Sequence, residues 1–521
     1  MNFRINRRSF LKTFSATLSS LGLQAVGQKA VPSLPPDTTP HTMAHAGWVE
    51  EINTKFRKNL VGIQVRPFAW IDEGIDQVLD NLQSKAAVTS VFAYTFDSDP
   101  NRAKKSGGRL PDHGKYGPDT LRTGGASFDY DRRYFEGTRI KDFRSYDDGK
   151  FNVIADVAPK LKARGMDYIA VDFTNPFPMM MRTIPDLIDL AEVDMYGRPT
   201  NRPCYNHPEY QAYLVGKMQV YLKQYGDAVD GVMWNVESMG PIDNMIGADW
   251  AMIGVTCFCE FCRAKARDRG ISVERAKEGF RRLEHLFRPG PKRAQRPPDG
   301  YFVTFWRTLM KYPEVLAWHN LYMDSFNHVR AQLYGTAKAL APEKPYGLHM
   351  MQNITFSPFY SASEDIEAIS HISDFLKIAT YSNAGGPRMG RLIDRLADTV
   401  FRDAESSDLL PLYSKMMNYD ITSVEDITLN GLSSEYLSSE AQRMIADVEG
   451  RTKIYPSIDI DVPTAATGEK RTHPEDVKRA VAAAWSTGVP GIVLARDYSE
   501  MWLANLSAAG EATRAALQGR T

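Results

Sequence analysis

An α/β fold, and within that class a (β/α)8 TIM barrel with long insertions in its βα loops, is what this sequence predicts. Three observations predict it. Eight short runs rich in apolar, β-branched and aromatic residues recur along the chain, and several are apolar on both alternating faces, as strands buried on both sides of a parallel sheet are. Amphipathic segments of helical period lie between most of them, and that alternation points to a closed barrel rather than an open doubly wound sheet. No Gly-x-Gly-x-x-Gly follows any run, which argues against a dinucleotide-binding sheet.

In order, the strand runs are LVGIQVRPF (60–68), VTSVFAYTF (88–96), DYIAVDF (167–173), DGVMWNVE (230–237), YGLHMMQ (346–352), DFLKIATYS (374–382), TKIYPSIDID (452–461) and PGIVLAR (490–496). The helical stretches include IDEGIDQVLDNLQSKA, FNVIADVAPKLKARG, NHPEYQAYLVGKMQVYLKQYG and HPEDVKRAVAAAWSTG, the last three closing on Gly, the usual helix stop. Three connections are too long for simple loops, at about 97–150, 238–345 and 383–451. The barrel domain is expected over 46–521.

Composition narrows the partners. The 63 basic and 63 acidic residues cancel, and no basic run stands out, so nucleic acid is not an expected partner. Ahead of the barrel, NRRSFLKTFSATLSSLGLQAVG pairs Arg7 with Arg8 before a short, weakly apolar stretch. This is the pattern of a twin-arginine export signal. The stretch is too short and too rich in Ser and Thr to be a spanning helix, which needs about 20 apolar residues. The expectation is a signal peptide over 1–30 and a Pro-rich linker over 31–45, with the mature protein periplasmic or secreted and not inserted in a membrane.

Chemistry in such barrels sits at the C-terminal strand ends. That rule selects Arg66, Tyr94, Asp172, Asn235, Glu237, His349, Gln352, Tyr381, Asn383, Asp459, Asp461 and Arg496, with Trp234 and Trp502 as stacking faces. Glu237 directly follows the fourth run, where apolar neighbours would raise its pKa and make it a proton donor. Glu500 is a further acid, with a helix-start role as the plainer reading.

Three of the four cysteines, Cys257, Cys259 and Cys262, fall within TCFCEFCRAK, and Cys204 lies upstream in RPCYNHPEY. Four thiolates suit a structural zinc ion with no open position for water. Disulfides are the competing reading for an exported chain, although thiols at i, i+2 and i+5 make a poor disulfide framework. The twin-arginine route carries folded proteins, so a metal loaded in the cytoplasm would survive export.

The order CYNHPEY, then an Asn and a Glu at a strand end, then C-x-C-x-x-C followed by RAKAR, resembles the β-galactosidases of glycoside hydrolase family 42 over residues 203–262. The resemblance implies Cys204, Cys257, Cys259 and Cys262 as zinc ligands, Glu237 as acid/base, and an oligo- or polysaccharide or glycoside as substrate. Members of that family are often trimers; no sequence feature here decides the oligomeric state. Two departures matter. Val236 separates Asn235 from Glu237 where the family has them adjacent, and the seventh run offers Asp459 and Asp461 where the family has a Glu nucleophile. Strand alternation still points Asn235 and Glu237 the same way.

The expected reaction is glycosidic cleavage by two carboxyl groups, Glu237 with Asp459 or Asp461. Retention or inversion follows from their separation, about 5–5.5 Å or about 6.5–9.5 Å. An α-L-fucosidase-like hydrolase is the alternative suggested by DGVMWN, although such enzymes carry an Asp where this chain has Asn235. A non-catalytic carbohydrate-binding barrel is the alternative from another class.

Overall fold

Each of the eight apolar runs forms one strand of a closed parallel barrel. The strands of this computed structural model are β1 (Leu60–Val65), β2 (Ser90–Asp97), β3 (Asp167–Phe173), β4 (Gly231–Trp234), β5 (Tyr346–Met350), β6 (Phe375–Ala379), β7 (Lys453–Asp459) and β8 (Gly491–Ala495). The structure describes residues 57–97, 112–114, 124–145, 148–173, 184–247, 254–462 and 471–518. Neighbours pair in chain order, and β1 pairs with β8 as well as with β2, so the sheet closes on itself. The signal and linker expected over 1–45 lie outside the described residues.

Side chains of alternating parity fill the barrel. Leu60, Phe92, Tyr94, Ile169, Val171, Phe173, Met233, Phe375, Tyr455 and Val493 make one buried cluster inside it. Glycines interleave with the rings, as the narrow interior requires. A Cβ on Gly347 would stand 2.2 Å from the Phe375 ring, and one on Gly62 would stand 2.5 Å from Phe92. The opposite parity packs outward against the helices in a second, larger core.

The helices begin where the sequence supplies caps. The Asn152 side chain accepts the amides of Ile154 and Ala155 at the start of Val153–Ala163, and His207 with Pro208 opens Pro208–Gln219. The connection after β4 holds helices Pro241–Ile246, Glu260–Asp268, Val273–Leu286 and Tyr301–Lys311, then the 27-residue helix Glu314–Leu340. These helices build a separate apolar cluster that includes Phe258, Phe280, Phe305 and Trp318. Phe258 stacks on Trp318 at 4.3 Å. The connection after β6 holds helices Ser382–Asp398, Ser406–Met417, Val424–Asn430 and Ser434–Val448.

A further excursion lies after β3, where Ala191–Val193 pairs antiparallel with Pro199–Pro203. Within 97–150, Gly125–Ala126 pairs with β2, and Tyr130 stacks on Phe143 at 4.0 Å. Among the described residues, no helix is long and apolar enough to cross a membrane.

Candidate active site

The C-terminal ends of the strands gather polar side chains, and strand parity decides which of them face the axis. Gln64 continues the inward parity of β1, and its amide donates to Tyr94 Oη at 2.7 Å. Asn235, two residues after Met233, donates to the same hydroxyl at 3.4 Å. Arg66 lies over the rings of Tyr94 (5.2 Å) and Phe173 (5.5 Å) and bonds Asp97 at 2.9 Å and Asp497 at 3.0 Å. Burial works against its charge, but the two carboxylates more than offset that and hold its pKa above the ordinary arginine value.

Glu237 keeps the parity of Asn235 and is 18% exposed. Its Oε1 lies 3.1 Å from Nε2 of His349, an inward residue of β5. Burial, and secondarily the charge of Lys377, lowers the His349 pKa to about 4. At neutral pH the imidazole is therefore uncharged. Lys377 of β6 is the register partner of His349 and donates to Tyr381 Oη at 3.2 Å. The Tyr381 ring also receives the Arg388 guanidinium at 5.3 Å. Arg388 bonds Gln352 Oε1 at 2.8 Å, and its charge interacts with both Glu237 and Asp459.

The two aspartates of β7 are held differently. Asp459 Oδ2 accepts the Ala384 amide at 2.8 Å, near the start of helix Ser382–Asp398, and Oδ1 accepts the Val462 amide at 2.9 Å and Thr472 Oγ1 at 3.3 Å. Burial raises its pKa despite these donors. Asp461 Oδ2 accepts the Trp502 amide at 2.8 Å and the Asn505 side chain at 2.9 Å, and burial pushes its pKa up to about 7.

Other expected site residues stand elsewhere. Asp172 is turned away from the axis, because Val171 and Phe173 take the inward positions, and it forms an ion pair with Lys217 at 2.7 Å with both side chains fully buried. The expectation that it holds a sugar hydroxyl is corrected accordingly. Arg496 is tied to Glu500 by two bonds, at 2.8 and 2.5 Å. Asn383 donates to Thr472 Oγ1 at 2.9 Å and lines a cleft of about 660 Å3 between the helices after β6 and helix Pro474–Ser486 after β7. Trp234 faces outward into the helix-side core, and Trp502 lies under Arg471 at 5.0 Å.

Beside the mouth, the four cysteine sulfurs come together within 4.8 Å of one another. Cys204 follows the Ala191–Val193/Pro199–Pro203 hairpin, and the other three open helix Glu260–Asp268. Cys204 Sγ is 3.4 Å from Cys259 Sγ and 3.5 Å from Cys262 Sγ, far beyond a covalent S–S bond of about 2.05 Å. The edges of a zinc-thiolate tetrahedron are about 3.8 Å, given Zn–S of about 2.3 Å. Donors surround the sulfurs as thiolates require. The Val193 amide reaches Cys257 at 3.4 Å, the Asn206 amide reaches Cys204 at 3.4 Å, and the Asn206 side chain reaches Cys262 at 3.2 Å. The donor set fits a four-sulfur metal ion.

No protein-family model and no curated protein matches the chain. Among solved structures it resembles the β-galactosidase of the psychrophilic Marinomonas ef1, at 11% identity and a TM-score of 0.50 over 88% of this chain and 59% of that one. The β-galactosidase of the Antarctic haloarchaeon Halorubrum lacusprofundi gives 11% identity and 0.49, over 88% and 58%. The α-L-fucosidase isoenzyme 2 of Paenibacillus thiaminolyticus gives 10% and 0.44, over 89% and 50%. The likeness is one of fold. The barrel is a TIM barrel, and the chain spans just over half the length of the two β-galactosidases.

Sequence reasoning passed over Lys377, Arg388 and Gln64. Lys377 had a signal, a charge in the middle of the apolar run FLKIA. Gln64 had a weaker one, a polar residue inside LVGIQV. Arg388 had none, since it reaches the site from the helix after β6.

Proposed function

We propose that the barrel is a glycoside hydrolase in which Glu237 is the acid/base and Asp459 is the second carboxyl group. The observation that carries this reading is the pairing of Glu237 with a neutral, buried His349 at the open end of the barrel, with the Arg388 charge acting on both Glu237 and Asp459. A carboxyl group within hydrogen-bond reach of an uncharged imidazole, and still partly exposed, is placed to give a proton to a leaving oxygen and take one back from water. Gln64 and Asn235, joined through Tyr94, form a wall of hydrogen-bonding groups for sugar hydroxyls.

Replacing Glu237 by Gln removes the transferable proton and keeps the shape. Turnover of aryl glycosides is expected to fall by about 10²–10⁴, with substrate affinity kept within a few fold. Unchanged turnover overturns the assignment. One observation favours the second reading, a barrel that binds sugar without cleaving it: both Asp459 oxygens already accept bonds from the chain. In that case wild type and Glu237→Gln bind alike and neither turns over any glycoside.

The local likeness to family 42 extends the proposal to a structural zinc ion on Cys204, Cys257, Cys259 and Cys262. With all four positions taken by sulfur, the ion would brace the loop after β3 against the loop after β4 and take no part in the reaction. Metal analysis is expected to give about one zinc per chain; none in protein purified without chelator rejects it. Export through the twin-arginine route is the proposed destination. Changing Arg7 and Arg8 to Lys is expected to retain the protein in the cytoplasm, and unchanged fractionation excludes that route.

A further inference from the structure

Three lysines are buried among the described residues: Lys217, Lys338 and Lys377. Lys217 is paired with Asp172 at 2.7 Å and Lys338 with Asp374 at 2.5 Å. Lys377 is 1% exposed, yet among the described residues it forms no ion pair, and its hydrogen bond is to the Tyr381 hydroxyl at 3.2 Å. An ammonium group carries three donors, and an isolated buried charge is costly unless an opposite charge meets it. This lysine points inward at the open end of the barrel, in register with His349, whose other side holds Glu237. Among the described residues its direct neighbours bring it no opposite charge: His349 is neutral, Arg388, over the other side of Tyr381, is a second cation, and Glu237 bonds His349 rather than the ammonium.

Inward positions at this end of the barrel also hold acceptors of the opposite need. Gln64 Oε1, Asn235 Oδ1 and Ser457 Oγ are buried and accept no hydrogen bond from the described residues. Gln64 and Asn235 stand on the Tyr94 side of the mouth, and Ser457 lies one inward position beyond Tyr455, the β7 register partner of Lys377. Oxygen acceptors ask for hydroxyl donors, and the ammonium asks for an anion.

We propose that the site takes a hydroxylated sugar bearing an acidic group, a hexuronic acid or a sulfated hexose, with the anion on Lys377 and ring hydroxyls on Gln64 and Asn235. This rests on the reading of the barrel mouth as a sugar site and names its substrate class. A neutral hexose leaves the Lys377 charge uncompensated, so the parent sugar is discriminated against by the same buried charge that holds the acid.

The experiment is binding to the full-length, metal-loaded protein, read by calorimetry and thermal shift, of glucuronate, galacturonate and galactose 6-sulfate against glucose and galactose. At least one acid is expected to bind about thirtyfold or more tighter than its parent hexose, and Lys377→Gln is expected to remove that difference. The uronate and sulfate arms separate the two sources of charge. Equal binding of acid and parent sugar by the unmodified protein overturns the inference, and that comparison stands even if the variant does not fold. An acid preference that survives in a folded Lys377→Gln overturns the assignment to this lysine. The hydrolase reading is tested separately in the same samples. Turnover confined to neutral glycosides removes the acidic substrate and keeps the hydrolase, whereas acid-selective binding without turnover of any glycoside keeps the anion site and removes the hydrolase.

Discussion

Two sides of one barrel mouth hold their carboxyl groups in opposite ways. Glu237, after β4, is partly exposed and bonds an uncharged imidazole. Asp459, at the end of β7, is 3% exposed and takes two backbone amides and a threonine hydroxyl. One meets a side chain and is partly open to solvent, and the other is fastened to the loops it would act beside. Under the proposed hydrolase reading, the contrast would separate two jobs that sequence alone assigns together: moving a proton at the Glu237 side, and fixing position at the Asp459 side.

The sharpest break of that contrast compares deletions. Asp459→Ala strips acceptors from two amides and a hydroxyl in a buried setting, so it should destabilise the fold by roughly 3 kcal/mol or more. Glu237→Ala acts on a side chain that is partly exposed and bonds an imidazole, so it should cost less, roughly 1–2 kcal/mol. Denaturant unfolding of both variants measures the difference. Equal losses would erase the distinction between the two sides.

Next in size is the cysteine cluster, which lies on the Glu237 side. If the cluster holds the proposed zinc, Cys262→Ser should lower metal content and loosen the helices between 254 and 313 before the barrel itself opens, because three of the cysteines are buried in their apolar cluster. Limited proteolysis should therefore cut first in that segment. Cleavage first within the barrel strands would contradict a local brace.

The smallest expected effect concerns pH on the Asp459 side. Burial gives Asp461 a folded pKa of about 7 against an ordinary 3.8. Between those values the folded chain binds more protons than the unfolded one, so this group's contribution is full below about pH 4 and is lost as pH rises to about 7. Asp461→Asn keeps an oxygen for the Trp502 amide and does not titrate. Its stability should fall less than that of wild type from pH 5 to pH 8, and parallel profiles would contradict a shifted Asp461.

How far the sequence reached follows the same division between local and distant forces. All eight strands were legible, because a strand buried on both faces must be apolar at both parities, and each run contains one. The long connections after β4 and β6 carry helices as their lengths suggested, but the hairpin before Cys204 left no comparable pattern. Strand parity also read Asn235 and Glu237 onto one face. Asp172 shows where this breaks down: its partner Lys217 is 45 residues later on a helix, and no local spacing announces the pair. The donors to Asp459 come from residues 384, 462 and 472, three separate loops that only the closed barrel brings together. The gathering of Cys204 with a cluster more than fifty positions later was legible because metal-binding chemistry restricts sulfur spacing more tightly than packing restricts carboxylates.

The most direct measurement of the proton-donor role compares leaving groups in wild type and Glu237→Gln on glycosides of one sugar. A poor leaving group, such as an alkyl alcohol, needs the proton, and its kcat/KM should fall by about 10³ or more. A good one, such as dinitrophenol, departs without it and should fall by about tenfold or less. Equal losses across the series, or no loss at all, would contradict Glu237 as the group that protonates the departing oxygen.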